Sequence, residues 1–225
     1  MPLSVQHGWD GVDVWLWKIT ETVDELSSFV PRQQVLYARE KFSSVKRRAE
    51  WLAVRAIVAQ KFGGQVQIVY DGAGKPLLDG VAGYVSVSHT KGYAVVAFSR
   101  DSEVGVDVEL TSRDVLPVAG RFMPAEALGM YRPDERSRVA LLNWCAKEAL
   151  FKITGDLGGN FKENISVGNF ELKACGRLPL SLVGVDCPGE PLYVADYSFN
   201  DDLLVVLCRK RCDVERLESP ALCGE

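Results

Sequence analysis

Val104-Gly105-Val106-Asp107-Val108-Glu109-Leu110 is the stretch on which the reading of the fold turns. Valines at every second position alternate with Gly, Asp and Glu, the period of a β-strand. That period puts Asp107 and Glu109 on one face, about 7 Å apart at Cα. Two carboxylates on one face invite a cation. Hard oxygen ligands that leave coordination places open are what Mg²⁺ uses when it also holds substrate phosphates. Taken alone, Asp-x-Glu equally describes the solvated outer face of a strand.

Working outward, β-branched runs at Val66 to Tyr70, Tyr84 to Ser88 and Tyr93 to Phe98 are split by Asp71-Gly72, Lys91-Gly92 and Asp101-Ser102, and read as a largely antiparallel sheet. Before them, residues 33–62 carry apolar side chains at helical spacing, in one piece or two, and stop at Gly63-Gly64. The second half repeats the order. A helical region from Pro124 to Thr154 precedes strand-like runs at Ile165 to Leu172, Leu178 to Val183, Tyr193 to Ser198 and Leu203 to Cys208. No fixed-period repeat accompanies this symmetry of elements. The fold class is α+β. The tail after Arg209, polar and containing Pro and Gly, is expected to fray.

With 225 residues, 47% of them hydrophobic and 25% charged, the chain suffices for one large domain or two small ones. Neither a signal peptide nor an apolar run of about 20 residues is found, so a soluble cytoplasmic protein with no membrane association is expected. Six cysteines without a Cys-x-x-Cys pair read as free thiols. His7 and His89 lack further ligands at zinc spacing. A net charge of −4 argues against nucleic-acid binding. Between Arg39 and Lys61, however, seven basic residues face only Glu40 and Glu50, a stretch suited to a small polyanion.

Three further stretches carry candidate chemistry. Asn143-Trp144-Cys145-Ala146-Lys147-Glu148-Ala149-Leu150-Phe151-Lys152 is helical and sets Glu148 and Lys152 one turn apart. That pair is either a surface ion pair or a base with a phosphate clamp. Val85-Ser86-Val87-Ser88-His89-Thr90 ends a strand in a Ser-His pair, after Gly74-Lys75-Pro76 on a turn; His89 and Lys75 can both donate to phosphate oxygens. Arg47-Arg48-Ala49-Glu50-Trp51-Leu52-Ala53-Val54-Arg55 puts Arg47 and Arg55 about two helical turns apart, near one face.

In this order, the Gly-Lys-Pro, Ser-His-Thr, Gly-Val-Asp-Val-Glu and Trp-Cys-x-Lys-Glu-Ala-x-x-Lys motifs resemble the Sfp-type 4′-phosphopantetheinyl transferases over about residues 39–155. Thr90, the valines around Asp107, and Cys145 depart mildly from the family pattern. The resemblance implies a monomeric pseudo-dimer of two similar α/β halves with the active site in the cleft between them. Residues 1–103 would bind the nucleotide of coenzyme A, 104–212 would carry the metal and catalytic residues, and 213–225 would form a flexible tail. By position, Asp107, Glu109 and Glu148 would hold Mg²⁺. Lys152 and His89 would grip the diphosphate and neighbouring phosphates. Arg47 (or Arg48 in its stead), Arg55 and Lys75 would take the 3′-phosphate side, and Ser88 would line the nucleotide pocket. The implied activity is that of a holo-[acyl-carrier-protein] synthase, moving phosphopantetheine from coenzyme A to a serine of an apo acyl or peptidyl carrier protein and releasing adenosine 3′,5′-bisphosphate.

Such carriers are acidic, so Arg113 and Arg121-Phe122-Met123 are expected to offer a basic and apolar landing surface, unless Phe122 and Met123 are core. Two rivals stand beside this reading: a coenzyme-binding module without catalysis, and a cysteine hydrolase built on Cys145 and His89.

Overall fold

The computed structural model describes residues 3–9, 11–155, 161–184, 192–200 and 202–211. The chain divides into two compact units, the first ending at Ser102 and the second starting at Glu103. Each is a helix-backed antiparallel sheet, so the architecture is α+β.

The first unit opens with a hairpin, β1 (Leu3–Trp9) and β2 (Val12–Lys18). Three helices follow: α1 (Val23–Ser27), α2 (Arg32–Lys41) and α3 (Val45–Phe62). A small ribbon of β3 (Ile68–Tyr70) and β4 (Pro76–Leu78) precedes the hairpin β5 (Tyr84–Thr90) and β6 (Tyr93–Ser99). The main sheet runs β1-β2-β6-β5. The expected helix over residues 33–62 is thus two helices. Ser44 starts the second by accepting the Arg47 backbone N–H at 3.4 Å, and Gly63, at φ +98°, ends it. From α3, Leu52, Ala53, Ala56 and Ile57 pack with Trp15, Trp17 and Phe98 of the sheet.

The second unit starts with β7 (Val104–Leu110), the strand read first from the sequence. After a 3₁₀ turn (Leu116–Arg121) come α4 (Ala125–Gly129), α5 (Arg136–Thr154) and α6 (Phe161–Asn164). The strands β8 (Ile165–Val167), β9 (Cys175–Leu182), β10 (Tyr193–Phe199) and β11 (Leu203–Lys210) complete a sheet of order β7-β11-β10-β9-β8. Helix α5 lies across β7 and β11, where Val139, Leu142, Ala146 and Leu150 meet Leu204, Val206 and Cys208 in one core. The units share a connectivity. In each, a strand before the long helix (β2 or β7) pairs antiparallel with the last strand (β6 or β11), which also pairs with the strand before it.

Several expectations need correction. Residues 168–172 are not strand. The landing surface loses its apolar part, because Phe122 and Met123 are 1% and 2% exposed and belong to the core. Cys145 and Cys208 are free, as expected, but Cys175 is disulfide-bonded; pairing depends on spatial approach, which cysteine spacing does not encode. Among the described residues no helix is long and apolar enough to cross a membrane. The expected flexible tail, 213–225, lies outside the described residues.

Candidate active site

The face of β7 that carries Gly105, Asp107 and Glu109 is turned toward α5. Their cross-strand partners on β11 are Cys208, Val206 and Leu204, all in the core that α5 covers. Asp107 is 6% exposed, which excludes the solvated outer face. Gly105 makes this approach possible: a Cβ there would lie 1.8 Å from the backbone oxygen of Ala149. With no side chain at 105, the helix settles directly on the strand.

That settling brings one side of α5 onto Asp107, because Cys145, Glu148, Ala149 and Lys152 fall at spacings of three and four. Lys152 Nζ donates to Asp107 Oδ1 at 2.9 Å and to the Val106 carbonyl at 2.7 Å. The Cys145 thiol also bonds to Asp107, and burial together with that carboxylate pushes its pKa well up. Cys145 is therefore a fully buried, protonated thiol, which removes the cysteine-hydrolase rival. Burial raises the pKa of half-buried Glu148, and the negative charge of Asp107 raises it further; Lys152 and Arg113 act in the opposite sense. Glu148, Asp107, Lys152 and Arg113 thus share one electrostatic neighbourhood. Glu109 is ion-paired with Arg113, whose guanidinium carbon lies 5.6 Å from the centre of the Trp144 ring.

Among the described residues, no three His, Cys, Asp or Glu side chains stand close enough to hold a metal ion as they are. Cations of the chain fill that role instead, Lys152 at Asp107 and Arg113 at Glu109. The donor chemistry still suits Mg²⁺. The oxygens are hard, and the repulsion from Asp107 that adds to the effect of burial on Glu148 is what a divalent ion would relieve. Lys147, beside Glu148 in sequence, points the other way. Its Nζ donates to the Phe122 and Ile165 carbonyls at 2.6 Å each, and burial lowers its pKa to about 8.

In the first unit, Arg47 and His89 come together. Arg47 Nη1 lies 3.3 Å from His89 Nε2, and Nδ1 of the same ring is 3.5 Å from Glu50 Oε2. A guanidinium only donates, so Nε2 accepts and the ring proton sits on Nδ1, facing Glu50. Glu50 is 4% exposed and lies 3.6 Å from Arg47 as well. It orients both Arg47 and His89 and was not singled out from the sequence. The signal was present: a lone acid three residues beyond Arg47 on an otherwise basic helix. Arg48, by contrast, donates to the Phe42 carbonyl at 2.6 Å and the Arg39 carbonyl at 3.4 Å, closing the C-terminal end of α2.

Lys75 sits on the tight turn between β3 and β4. There Asp71 Oδ1 accepts the backbone N–H groups of Ala73 and Lys75 at 2.9 and 2.8 Å, and Gly74 takes φ +81°. Ser88 is buried. As the neighbour of His89 on β5, it faces the opposite side of the strand and is not brought to Arg47. Arg55 is not brought there either; its guanidinium lies 3.2 Å over the Trp51 ring and 3.5 Å from the Tyr70 hydroxyl.

Residues 103–181 match the family model of the 4′-phosphopantetheinyl transferase superfamily. The resemblance drawn from the motifs is thereby shown at superfamily level, over about a third of the chain. The matched segment contains β7 and α5, and with them Asp107, Glu109, Glu148 and Lys152. No curated protein matches the chain.

Proposed function

We propose that this chain transfers 4′-phosphopantetheine from coenzyme A to a serine hydroxyl of an apo acyl or peptidyl carrier protein, releasing adenosine 3′,5′-bisphosphate. The observation that carries the reading is the packing of α5 on Gly105, which sets Glu148 and Lys152 beside Asp107 within the matched segment.

Asp107, Glu148 and, once released from Arg113, Glu109 would hold Mg²⁺, which supplies charge neutralisation at the coenzyme diphosphate. Glu148, whose burial and acidic neighbour strengthen its hold on a proton, is the base that takes the serine proton. The serine oxygen then forms a bond to the β-phosphorus of coenzyme A, the phosphoanhydride bond to the α-phosphate side breaks, and the bisphosphate leaves with the electron pair. Lys152 is held at Val106 and Asp107 by two of its three N–H donors, and we assign the third to the diphosphate.

In the first unit, Arg47, His89 and Lys75 are assigned to the phosphates on the nucleotide side. The engagement of Arg48 with backbone carbonyls favours Arg47 for that contact. The connectivity common to the two units supports reading the chain as a pseudo-dimer of similar halves acting as a monomer. Free Cys145 and Cys208 agree with a cytoplasmic setting, while the disulfide at Cys175 speaks against it.

The test is to incubate the purified chain with coenzyme A, Mg²⁺ and apo carrier proteins and to follow phosphopantetheine addition by mass spectrometry. Glu148→Ala should lower turnover by roughly 10²- to 10⁴-fold. Absence of addition to every carrier, or normal turnover by Glu148→Ala, overturns the proposal.

A further inference from the structure

Glu50 is the sole acidic residue of α3, and it is buried at 4% exposure. A buried carboxylate is costly unless charged or donor groups meet it. Two meet this one: Arg47 Nη1 at 3.6 Å, from the same helix, and His89 Nδ1 at 3.5 Å, from β5. Both partners reach the surface, with side chains 57% and 35% exposed. The acid stands at the back of the group, and the two nitrogen-bearing side chains are the part that a ligand meets.

Hydrogen bonding fixes how many protons the group holds. Arg47 donates to His89 Nε2 at 3.3 Å, so the ring is neutral and its one proton points from Nδ1 to Glu50. A fully ionised phosphate offers only acceptors, which the lone pair of Nε2 repels. For His89 to hold a phosphate, Nε2 must gain a proton while Arg47 turns its N–H from the ring to a phosphate oxygen. The doubly protonated ring then donates to the phosphate through Nε2 and to Glu50 through Nδ1, a charge-assisted bond on each side. Glu50 stabilises that second proton far more than a neutral group in its place. Among the elements packed against β5, α3 brings Arg47 and Glu50 to the ring. Strand β4 has no titratable residue, and the turn before it carries Lys75. Tyr93, the only titratable residue of β6, is next to Ala94, the cross-strand partner of His89, and so points to the opposite face.

We infer, on the assignment of Arg47 and His89 to the coenzyme's phosphates, that Glu50 is a positioning residue: it couples phosphate binding to the uptake of a solvent proton by His89 Nε2.

The experiment is isothermal titration of the full chain with adenosine 3′,5′-bisphosphate and EDTA at pH 7.5, in buffers of low and high ionisation enthalpy such as PIPES and Tris. The phosphates, with a second pKa of about 6, are already ionised at that pH, so the ligand itself exchanges almost no protons. The slope of the heat against buffer ionisation enthalpy counts the protons taken up. The wild type should take up about 0.5–1 per ligand, and its affinity should fall about 3- to 10-fold from pH 7.5 to 8.5. His89→Gln should bring the uptake to near zero. Glu50→Gln keeps the shape and removes the charge; it should cut the uptake to less than half and weaken binding about tenfold at pH 7.5. A glutamate with a merely structural role would alter affinity without altering the proton count. Wild-type binding with no proton uptake, uptake that persists in His89→Gln, or uptake unchanged in Glu50→Gln each overturns the inference and leaves the transferase reading standing. Absence of bisphosphate binding to the folded wild type overturns both.

Discussion

Gly105→Ala tests the contact on which the active-site reading depends. A methyl group at 105 would sit 1.8 Å from the Ala149 oxygen, whereas real Cβ atoms essentially never come within 3.0 Å of such a neighbour, so strand and helix must part by about 1.2 Å. The obstacle is helix backbone, with Ile153 Cγ1 next at 3.2 Å, and no side-chain rotation relieves it. Moved by that amount along the line of contact, the 2.9 Å bond from Lys152 to Asp107 stretches to about 4 Å and is lost. Overpacking of this kind costs about 1–3 kcal/mol. In a chain of this size that corresponds to a Tm lower by roughly 2–12 °C. A displacement of about 1 Å at reacting groups costs on the order of 10²-fold in rate. The measurements are thermal unfolding followed by circular dichroism, and turnover of an apo carrier protein at a temperature where the variant is folded. A variant that melts with the wild type and keeps its turnover would show that the close approach of α5 to β7 does not position Glu148 and Lys152.

Glu148→Gln should raise Tm at pH 7 while abolishing transfer. The folded pKa of Glu148 lies above its ordinary 4.5, so wild-type stability is lost as pH rises through that folded value, and the gap between the two proteins should close below pH 4.5. Lys147→Met leaves the Phe122 and Ile165 carbonyls without their donor and should cost about 1–3 kcal/mol in denaturant unfolding. Because the folded pKa of Lys147 is near 8 and the unfolded value 10.5, the wild type gains stability relative to this variant as pH rises across that window, and a shrinking gap would contradict the assignment. Arg47→Ala should raise the KM for coenzyme A with Tm unchanged, whereas Arg48→Ala should lower Tm by removing the donors that close α2; the reverse pattern would exchange their roles. Arg113→Ala removes the guanidinium from Glu109 and should tighten Mn²⁺ binding, read by electron paramagnetic resonance without substrate; weaker binding would mean that Arg113 supports the site rather than occupying it.

The β7 strand and the α5 helix were legible because their signals are local: alternation over seven residues in one, strong helix formers in the other. Strand β2 was not, although Val12-Asp13-Val14-Trp15-Leu16-Trp17-Lys18 pairs on both sides within its sheet. Its four central residues, Val14 to Leu16 and Trp17, are all buried, so both faces are apolar and the period-two contrast that marks a strand disappears. The same limit hid the orientation of neighbours in the motif helix. Lys147 and Glu148 are adjacent charges in the sequence, and only packing decides that one is tied to core carbonyls while the other faces Asp107.

The site residues show a consistent division between what pattern carries and what it omits. Residue types that chemistry requires, the acids at 107, 109 and 148, the basic residues at 47 and 152 and the histidine at 89, stand out by composition and spacing. The groups that hold them do not. Glu50 is one acid among basic neighbours, and Arg113 is an ordinary loop residue until it is seen paired with Glu109. Gly105 reads as a strand residue of low propensity, and its reason is a helix forty-four positions away that needs the space of a side chain. Supporting residues are defined by contacts across the fold, and those contacts determine whether the acidic and basic groups of the motifs act together.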